Sequence, residues 1–314
     1  MMQPAKEADM PMVIKNWQEG FGDTEKEIAD FFSAFSGVAR TFVWKEEGRA
    51  AGQLILLPVT LCCLEKTADG EKEAVCKRYA AEYIYAVTTS CAYRNRGIST
   101  KLLEAVSDML ASEEKCAVLV PADEGLKAFY ESRGFRECFA EEIITVENHA
   151  VPKQKTAAVS RQKSRMRQEL KAADSADSAG VLLPLTEEEY IRLRKEAFAN
   201  RVHIEQPDVM VAYALRLHKK EGGYCVKIRC NGGSCGVLYR VEADGGIFIR
   251  EITAGTAAEA VTAAKALLFK LGEQKAVLQR SCYTLGLHLP GGYMPDGPGF
   301  CGPFADGYFN LVLD

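Results

Sequence analysis

We predict an α/β (α+β) fold in which a mixed, twisted central sheet is flanked by helices, and three observations support this prediction. Helix and strand signals alternate along the first half of the chain. A mostly uncharged, β-rich run at residues 83–87 comes before a helix with a continuous apolar stripe. The second half repeats this order in outline, which indicates a duplicated fold whose two copies have diverged.

The first elements of the chain follow from periodicity and turn residues. Apolar side chains recur at helical spacing from Ile28 to Phe35, after the capping candidates Asp23 and Thr24. Residues 41–44 have the composition of a strand and are followed by a turn at Gly48. Residues 53–64 form a long apolar run, and the proline inside it indicates a strand with a bulge or an edge.

The next elements are a buried strand at 83–87, the segment 90–100 and a strongly amphipathic helix. The apolar stripe of that helix consists of Ile98, Leu102, Leu103, Val106, Met109 and Leu110. A short strand at 116–120 stops at a proline, and a helix at 124–132 ends near Gly134, a helix C-cap residue. Two further strand-like runs end near residue 146.

The second half contains a hairpin, a helix and several strands. Residues 224–230 and 235–241 flank the dipeptide Asn231-Gly232, a strong hairpin signal. A strand at 247–252, an amphipathic helix at 257–271 and strands at 276–278 and 308–313 follow. Between the halves, residues 148–180 are basic and then rich in Ala, Ser and Asp, which is typical of an exposed linker. We therefore expect domains at 1–147 and 181–314.

Composition bounds the function classes. The chain has 314 residues, 47% of them hydrophobic and 26% charged, which suits two globular domains. The formal net charge of -4 argues against a general nucleic-acid binder. No apolar run approaches the ~20 residues of a membrane helix, and the N-terminus does not resemble a secretory signal. We expect a cytoplasmic protein without a membrane partner.

The cysteines predict reduced thiols and no metal site. Eleven cysteines without an export signal are typical of a reducing compartment. Cys225, Cys230 and Cys235 lie close together in sequence, but no CxxC spacing occurs. Cys91 and Cys116 have no histidine near them in sequence, so we expect small buried thiols rather than nucleophiles.

The segment from Arg94 to Thr100 is the strongest candidate for chemistry. It joins a buried strand to the N-terminus of an amphipathic helix, where backbone N–H groups lack partners and the helix dipole is positive. Such donors suit a phosphate group, and Gly97 lets the backbone approach it closely. Arg94 and Arg96 add positive charge. On local physics alone, a phosphate cradle and an ordinary strand-to-helix connection both fit.

Two motifs at the right separation favour the first alternative. The string YIYAVTTSCAYRNRGISTKLLEAV followed by CAVLVPADEGLKAFYESRGF resembles the Gcn5-related N-acetyltransferase (GNAT) superfamily. Arg94, Gly97 and Ser99 stand at the three fixed positions of the family's turn, Q/R-x-x-G-x-G/A. The second motif has Tyr130 after a phenylalanine and before a terminal Gly-Phe. The resemblance covers roughly residues 1–147 and implies a GNAT fold.

The resemblance also implies where acetyl-CoA binds. The family holds the pyrophosphate on backbone amides of this turn, here Arg96, Gly97, Ile98, Ser99 and Thr100. It pairs the pantetheine arm with the backbone just before the turn, here Val87, Thr88 and Thr89. Two departures stand out. Ser99 replaces the usual Gly or Ala, and Asp123 stands where the family often has Asn.

The implied reaction is acetyl transfer to a primary amine by direct attack. The family's tyrosine often protonates the departing thiolate, and Tyr130 matches it. Glu82 is a candidate base, although a solvent-facing carboxylate at the end of a strand is an equal alternative. The acceptor is a small-molecule or peptide amine. A peptide or protein N-acetyltransferase and a non-catalytic acyl-CoA sensor or scaffold remain alternative functions.

The second half lacks the motif. Residues 253–256 connect its strand and helix without an arginine, so we expect no second CoA site. This half resembles the degenerate second domain of tandem-domain bacterial acetyltransferases, including those of the enhanced intracellular survival type. That resemblance implies a role in shaping the acceptor pocket or in building a homodimer. The Gly/Pro-rich segment 290–303 is either a surface loop or a loop that reaches over the acceptor cleft.

Overall fold

A computed structural model describes residues 1–65, 75–149, 182–230 and 233–289. The predicted linker, the segment 290–303 and the predicted strand at 308–313 lie almost entirely outside these residues. The described helices are α1 (Met10–Phe21), α2 (Glu25–Ala34), α3 (Ile98–Ser112), α4 (Glu124–Glu131), α5 (Glu187–Phe198), α6 (Asp208–Lys220) and α7 (Ala257–Leu271). None of the helices in these residues is long and apolar enough to cross a membrane.

The first sheet is built mainly from the first half of the chain. Its strands are β1 (Met2–Pro4), β2 (Arg40–Glu46), β3 (Arg49–Glu65), β4 (Val75–Thr89), β5 (Cys116–Leu119) and β6 (Arg136–Phe139). The first four are antiparallel neighbours, and β4 then pairs with β5 in parallel through the crossover helix α3. Helix α3 packs on one face through Leu102, Val106 and Leu110, and α1 and α2 pack on the other through Trp17 and Phe31. The mixed sheet flanked by helices is thus confirmed.

The second sheet repeats this arrangement. Its strands are β7 (Glu142–Glu147), β8 (Leu182–Pro184), β10 (Tyr224–Cys230), β11 (Gly233–Val241), β12 (Ile247–Ile252) and β13 (Lys275–Ser281). Strands β12 and β13 are parallel and are joined by α7, as β4 and β5 are by α3. The order of one strand, two helices, three antiparallel strands, a crossover helix and a parallel strand occurs in both halves. This repetition supports a duplicated fold.

The two halves exchange strands. Strand β7 comes from the first half but pairs with β13, while β14 (Thr284–Leu287) comes from the second half and lies between β5 and β6. A further strand, β9 (His203–Glu205), pairs with β3. The sheets therefore do not divide strictly at residue 147. Sequence periodicity cannot show such an exchange, because it reports which residues are apolar and not which strand they face.

Candidate active site

Strand β4 carries a β-bulge shortly after its pairing with β5 ends. Tyr85 pairs with Ile55 and Thr88 pairs with Gln53, so Ala86 and Val87 together stand opposite one residue of β3. Ala86 has a φ of 50°, in the left-handed region. A bulge of this kind bends its strand. Pairing with β5 ends at Tyr83, so within the described residues the edge of β4 beyond it has no strand partner.

The N-terminus of α3 lies at the end of this free edge and has no side-chain cap. Gly97 is the N-cap residue with a φ of 70°, and its carbonyl accepts the first intrahelical bond from the Lys101 amide at 3.0 Å. The amides of Ile98, Ser99 and Thr100 precede that bond and therefore have no partner inside the helix. The turn thus presents backbone donors and a positive dipole end, as a phosphate requires.

The side chains of the turn leave this backbone open. Ser99 turns its hydroxyl to that of Thr89, 2.8 Å away, so the extra hydroxyl relative to Gly or Ala joins α3 to β4. Thr88 is buried, and its hydroxyl donates to the carbonyl of Asn16 at 3.3 Å. The residues predicted to hold CoA are thus brought together at the junction of one strand end with one helix start.

Three arginines surround the turn. Arg94 and Arg96 are exposed, and the Arg96 guanidinium lies 5.2 Å from the centre of the Tyr93 ring. The third, Arg133, extends from the end of α4 and donates to the Thr100 hydroxyl at 2.6 and 3.2 Å. Sequence reasoning missed Arg133. The only signal was a cation one helical turn after Tyr130, which is too common to single out.

Arg133 is held in place by the residue before the tyrosine. Its guanidinium lies 3.5 Å from the centre of the Phe129 ring and also donates to the Phe129 carbonyl. A cation is thus positioned beside the positive end of α3, where the dipole alone disfavours it. An anion bound at the start of α3 would be attracted both by the helix dipole and by the Arg133 guanidinium.

Tyr130 packs against the face of the sheet that carries α3. Its ring contacts Phe129 and Phe135 edge to face, and only 7% of the residue is exposed. Burial raises the pKa of Tyr130 to about 12, although Arg133 opposes this shift. The hydroxyl therefore keeps its proton over the whole neutral range, as a proton donor must. The structure is compatible with the predicted role, which stays a prediction.

Asp123 is occupied by the helix that follows it. Its side chain accepts the Leu126 amide at 2.7 Å and so caps α4. An aspartate satisfies this cap as well as an asparagine would. The substitution therefore fits a local role in starting the helix that carries Tyr130.

Glu82 lies in a cluster of ions at the other end of α3. Its Oε1 atom is 2.8 Å from Arg40 and 3.0 Å from Lys115, and the residue is 2% exposed. Glu113 forms ion pairs with the same two residues, Arg40 and Lys115, and their hydrogen bonds lower the pKa of Glu113 to about 2. A base must reach solvent or substrate. The predicted role of Glu82 as base stays untested, and these ion pairs favour a structural role.

The corresponding helix start in the second half is closed. Thr256 caps α7 by accepting the Glu259 amide at 3.2 Å, and the Glu259 carboxylate accepts the Thr256 amide at 3.1 Å. This capping box satisfies the Glu259 amide, one of the free donors of the first turn, and places a carboxylate beside the helix start, where it would repel a phosphate. The geometry agrees with the expectation that this half has no CoA site.

A comparison with protein-family models matches the half of the chain that contains the open helix start. Residues 2–138 match the family model for the acetyltransferase (GNAT) domain. The match covers somewhat less than half of the chain and supports an acyltransferase. The open start of α3 lies within the matched residues. A comparison with curated protein sequences finds no match.

Solved structures share the fold over most of the chain. A probable N-acyltransferase from Enterococcus faecalis aligns with 91% of this chain and 71% of its own, at 14% identity and a TM-score of 0.64. A GNAT from Anabaena variabilis aligns with 91% and 72%, at 12% identity and a TM-score of 0.62. Eis1 from Mycobacterium abscessus aligns with 88% and 65%, at 10% identity and a TM-score of 0.60. At these identities the likeness concerns the fold.

Proposed function

We propose that this GNAT chain transfers an acetyl group from acetyl-CoA to a primary amine by direct attack. The observation that carries the proposal is the uncapped start of α3 beside the free edge of β4. In the second half the same place is closed by the Thr256–Glu259 box. The starts of α3 and α7 therefore differ in whether the helix end is open to a phosphate.

Acetyl-CoA would bind along these two elements. Amides at the start of α3 would hold the pyrophosphate, with positive charge from Arg94, Arg96 and Arg133. The backbone of Val87, Thr88 and Thr89 would pair with the pantetheine arm as an added strand, because no strand among the described residues pairs with this edge beyond Tyr83.

The chemistry then requires positioning and two proton transfers. A neutral amine attacks the thioester carbonyl, the new C–N bond replaces the C–S bond, and the amine loses a proton to a base or to water. We assign Tyr130 as the acid that protonates the departing thiolate, because its buried hydroxyl keeps its proton.

The acceptor would enter beside the residues that follow β5. A cavity of about 390 Å³ is lined there by residues 120–124 and, from the second half, by Arg250, Gln279 and Tyr283. Carboxylates of Asp123, Glu124 and Glu141 line it together with the cations Lys127 and Arg250, so the lining carries one net negative charge, which suits a cationic amine. This placement supports the prediction that the second half of a tandem chain shapes the acceptor pocket.

A thiol-release assay tests the proposal. Acetyl-CoA is incubated with a panel of small primary amines and with peptides, and free CoA is measured for the wild type and for Tyr130→Phe. We expect wild-type turnover on at least one amine, and a Tyr130→Phe variant that binds CoA but turns over at least tenfold more slowly. CoA binding without turnover on any acceptor would instead identify a sensor, and absence of CoA binding would refute the site.

A further inference from the structure

A second cavity lies far from the acyl-transfer cleft. It encloses about 330 Å³ between α5, β9 and the β3–β4 hairpin. Arg78 on β4 lines it, whereas the cradle begins at Thr89, so roughly 30 Å of extended strand separates the two places. No step of the proposed acyl transfer uses this cavity.

Three metal-binding side chains converge in this cavity. Donor atoms of Cys62, His203 and Glu205 all lie within 4.8 Å of one another. Cys62 pairs directly with His203 across β3 and β9, and Glu205 stands two residues further along β9, on the same face. The cluster therefore rests on strand pairing rather than on loop conformation.

The histidine is oriented as metal ligands usually are. Its Nδ1 atom lies 2.9 Å from the carbonyl of Arg201, which makes Nδ1 the donor and leaves Nε2 with its lone pair. His203 is 6% exposed and lines the cavity. A hydrogen bond from the other ring nitrogen to a backbone carbonyl is the arrangement that fixes the tautomer of a ligating histidine.

A cationic group already contacts the other two donors. The Arg78 guanidinium lies 2.6 and 3.0 Å from the Glu205 carboxylate and 3.7 Å from the Cys62 sulfur. The Arg78 side chain is 54% exposed, so it can leave toward solvent. Arg78 and a metal ion would therefore compete for the same carboxylate.

We propose that Cys62, His203 and Glu205 form a Zn²⁺ site whose fourth position opens into the cavity. Thiolate, imidazole and carboxylate are the ligands Zn²⁺ prefers, and three protein ligands leave room for water. On binding, the Cys62 thiol releases its proton to solvent as the Zn–S bond forms, and Arg78 releases Glu205. The ligand spacing in sequence gave no sign of this site, because Cys62 and His203 are brought together only by the β3–β9 pairing.

Cobalt titration of the full chain tests the proposal. Reduced, desalted protein is titrated anaerobically with Co²⁺, and the thiolate-to-cobalt charge-transfer band is followed before Zn²⁺ is added to displace it. We expect one Co²⁺ per chain. Cys62→Ser should lose the band, His203→Asn should bind at least tenfold more weakly, and Arg78→Ala should bind more tightly because the competing cation is gone.

Controls separate this site from adventitious binding. Cys91 is exposed, so the expectation of a buried thiol is wrong for it, whereas Cys116 is buried. Cys91→Ser removes this exposed thiol outside the cluster and should leave the band unchanged. Zn²⁺ should raise the melting temperature of the wild type but not of Cys62→Ser. Absence of a 1:1 band in the wild type, a band that survives in Cys62→Ser, or weaker binding by Arg78→Ala would each overturn the proposal. If Cys62→Ser does not fold, the surface variant Arg78→Ala decides.

Discussion

The hydroxyls of Thr89 and Ser99 lie 2.8 Å apart and join the end of β4 to the first turn of α3. This bond fixes the helix start relative to the free strand edge without using any of the backbone donors of the turn. The hydroxyl of Ser99, which departs from the Gly or Ala of the family pattern, therefore supports the proposed cradle, while the Ser99 amide stays among its free donors.

Ser99→Ala should lower the stability of the protein but leave CoA binding nearly unchanged. Loss of one side-chain hydrogen bond lowers the free energy of unfolding by about 1 kcal/mol. The dissociation constant for CoA should stay within threefold, because the amides remain free. Denaturant unfolding and calorimetric titration measure the two quantities. A tenfold loss of affinity would show that the serine hydroxyl itself contacts the ligand.

Gly97→Val should abolish CoA binding while the fold persists. A β-branched residue resists the φ of 70°, and its side chain would project from the N-cap position at the open end of α3. Among the described residues no atom lies within 4 Å of a β-carbon built at this position, so the variant meets backbone strain but no clash, and we expect it to fold. We expect at least a 30-fold rise in the CoA dissociation constant by calorimetry.

Gly272→Val is the matched control for this substitution. Gly272 ends α7 with a φ of 72°, and its surroundings are equally open. The backbone strain is therefore similar, but the position lies outside the cradle. Equal loss of CoA affinity in both variants would attribute the effect to general destabilisation and remove the support for the cradle.

Arg133→Ala should weaken CoA binding about tenfold if its guanidinium faces a phosphate of CoA beside α3. The affinity of the wild type should then fall with salt more steeply than that of the variant, because screening acts on the missing charge. Arg136→Ala is the control, since Arg136 is exposed and its hydrogen bonds within the described part of the chain go to backbone carbonyls. Equal salt slopes for the wild type and Arg133→Ala would leave Arg133 as a structural link to Thr100.

The sequence predicts the part of this site that is local. A glycine after a buried strand and before an amphipathic helix predicts where the helix begins, and α3 does begin directly after Gly97. The capping candidate Thr24 likewise starts α2, with a reciprocal bond to Glu27. Such features depend on neighbours within one helical turn.

Long-range pairing is what the sequence does not predict. The exchange of β7 and β14 and the ion pairs of Glu82 with Arg40 and Lys115 depend on how separate elements meet. Glu82 lies in the middle of β4 and not at the predicted strand start, and a glutamate looks the same in sequence whether it faces solvent or two cations. The convergence of Cys62 and His203 is a further case of this kind.

Tyr130→Phe should lower kcat about 100-fold, the contribution expected of a positioned acid, with KM for acetyl-CoA within threefold. Because burial raises the pKa of Tyr130 to about 12, the wild type should lose no activity through ionisation of this tyrosine between pH 7 and 10. Steady-state rates over that range measure both effects. Tyr213→Phe removes a hydroxyl with a similar pKa on α6 and should change kcat less than twofold.

Glu82→Gln distinguishes a structural carboxylate from a catalytic one. Removing the buried charge leaves Arg40 and Lys115 with Glu113 alone, so the free energy of unfolding should fall by about 3 kcal/mol. Since the side chain is held by two cations, the turnover rate at saturating substrate should stay within threefold. If turnover instead slows by about 100-fold or more while stability is unchanged, Glu82 is the base. Lys115→Met removes one cation and keeps the carboxylate, so it should lower stability and leave turnover unchanged under the structural account.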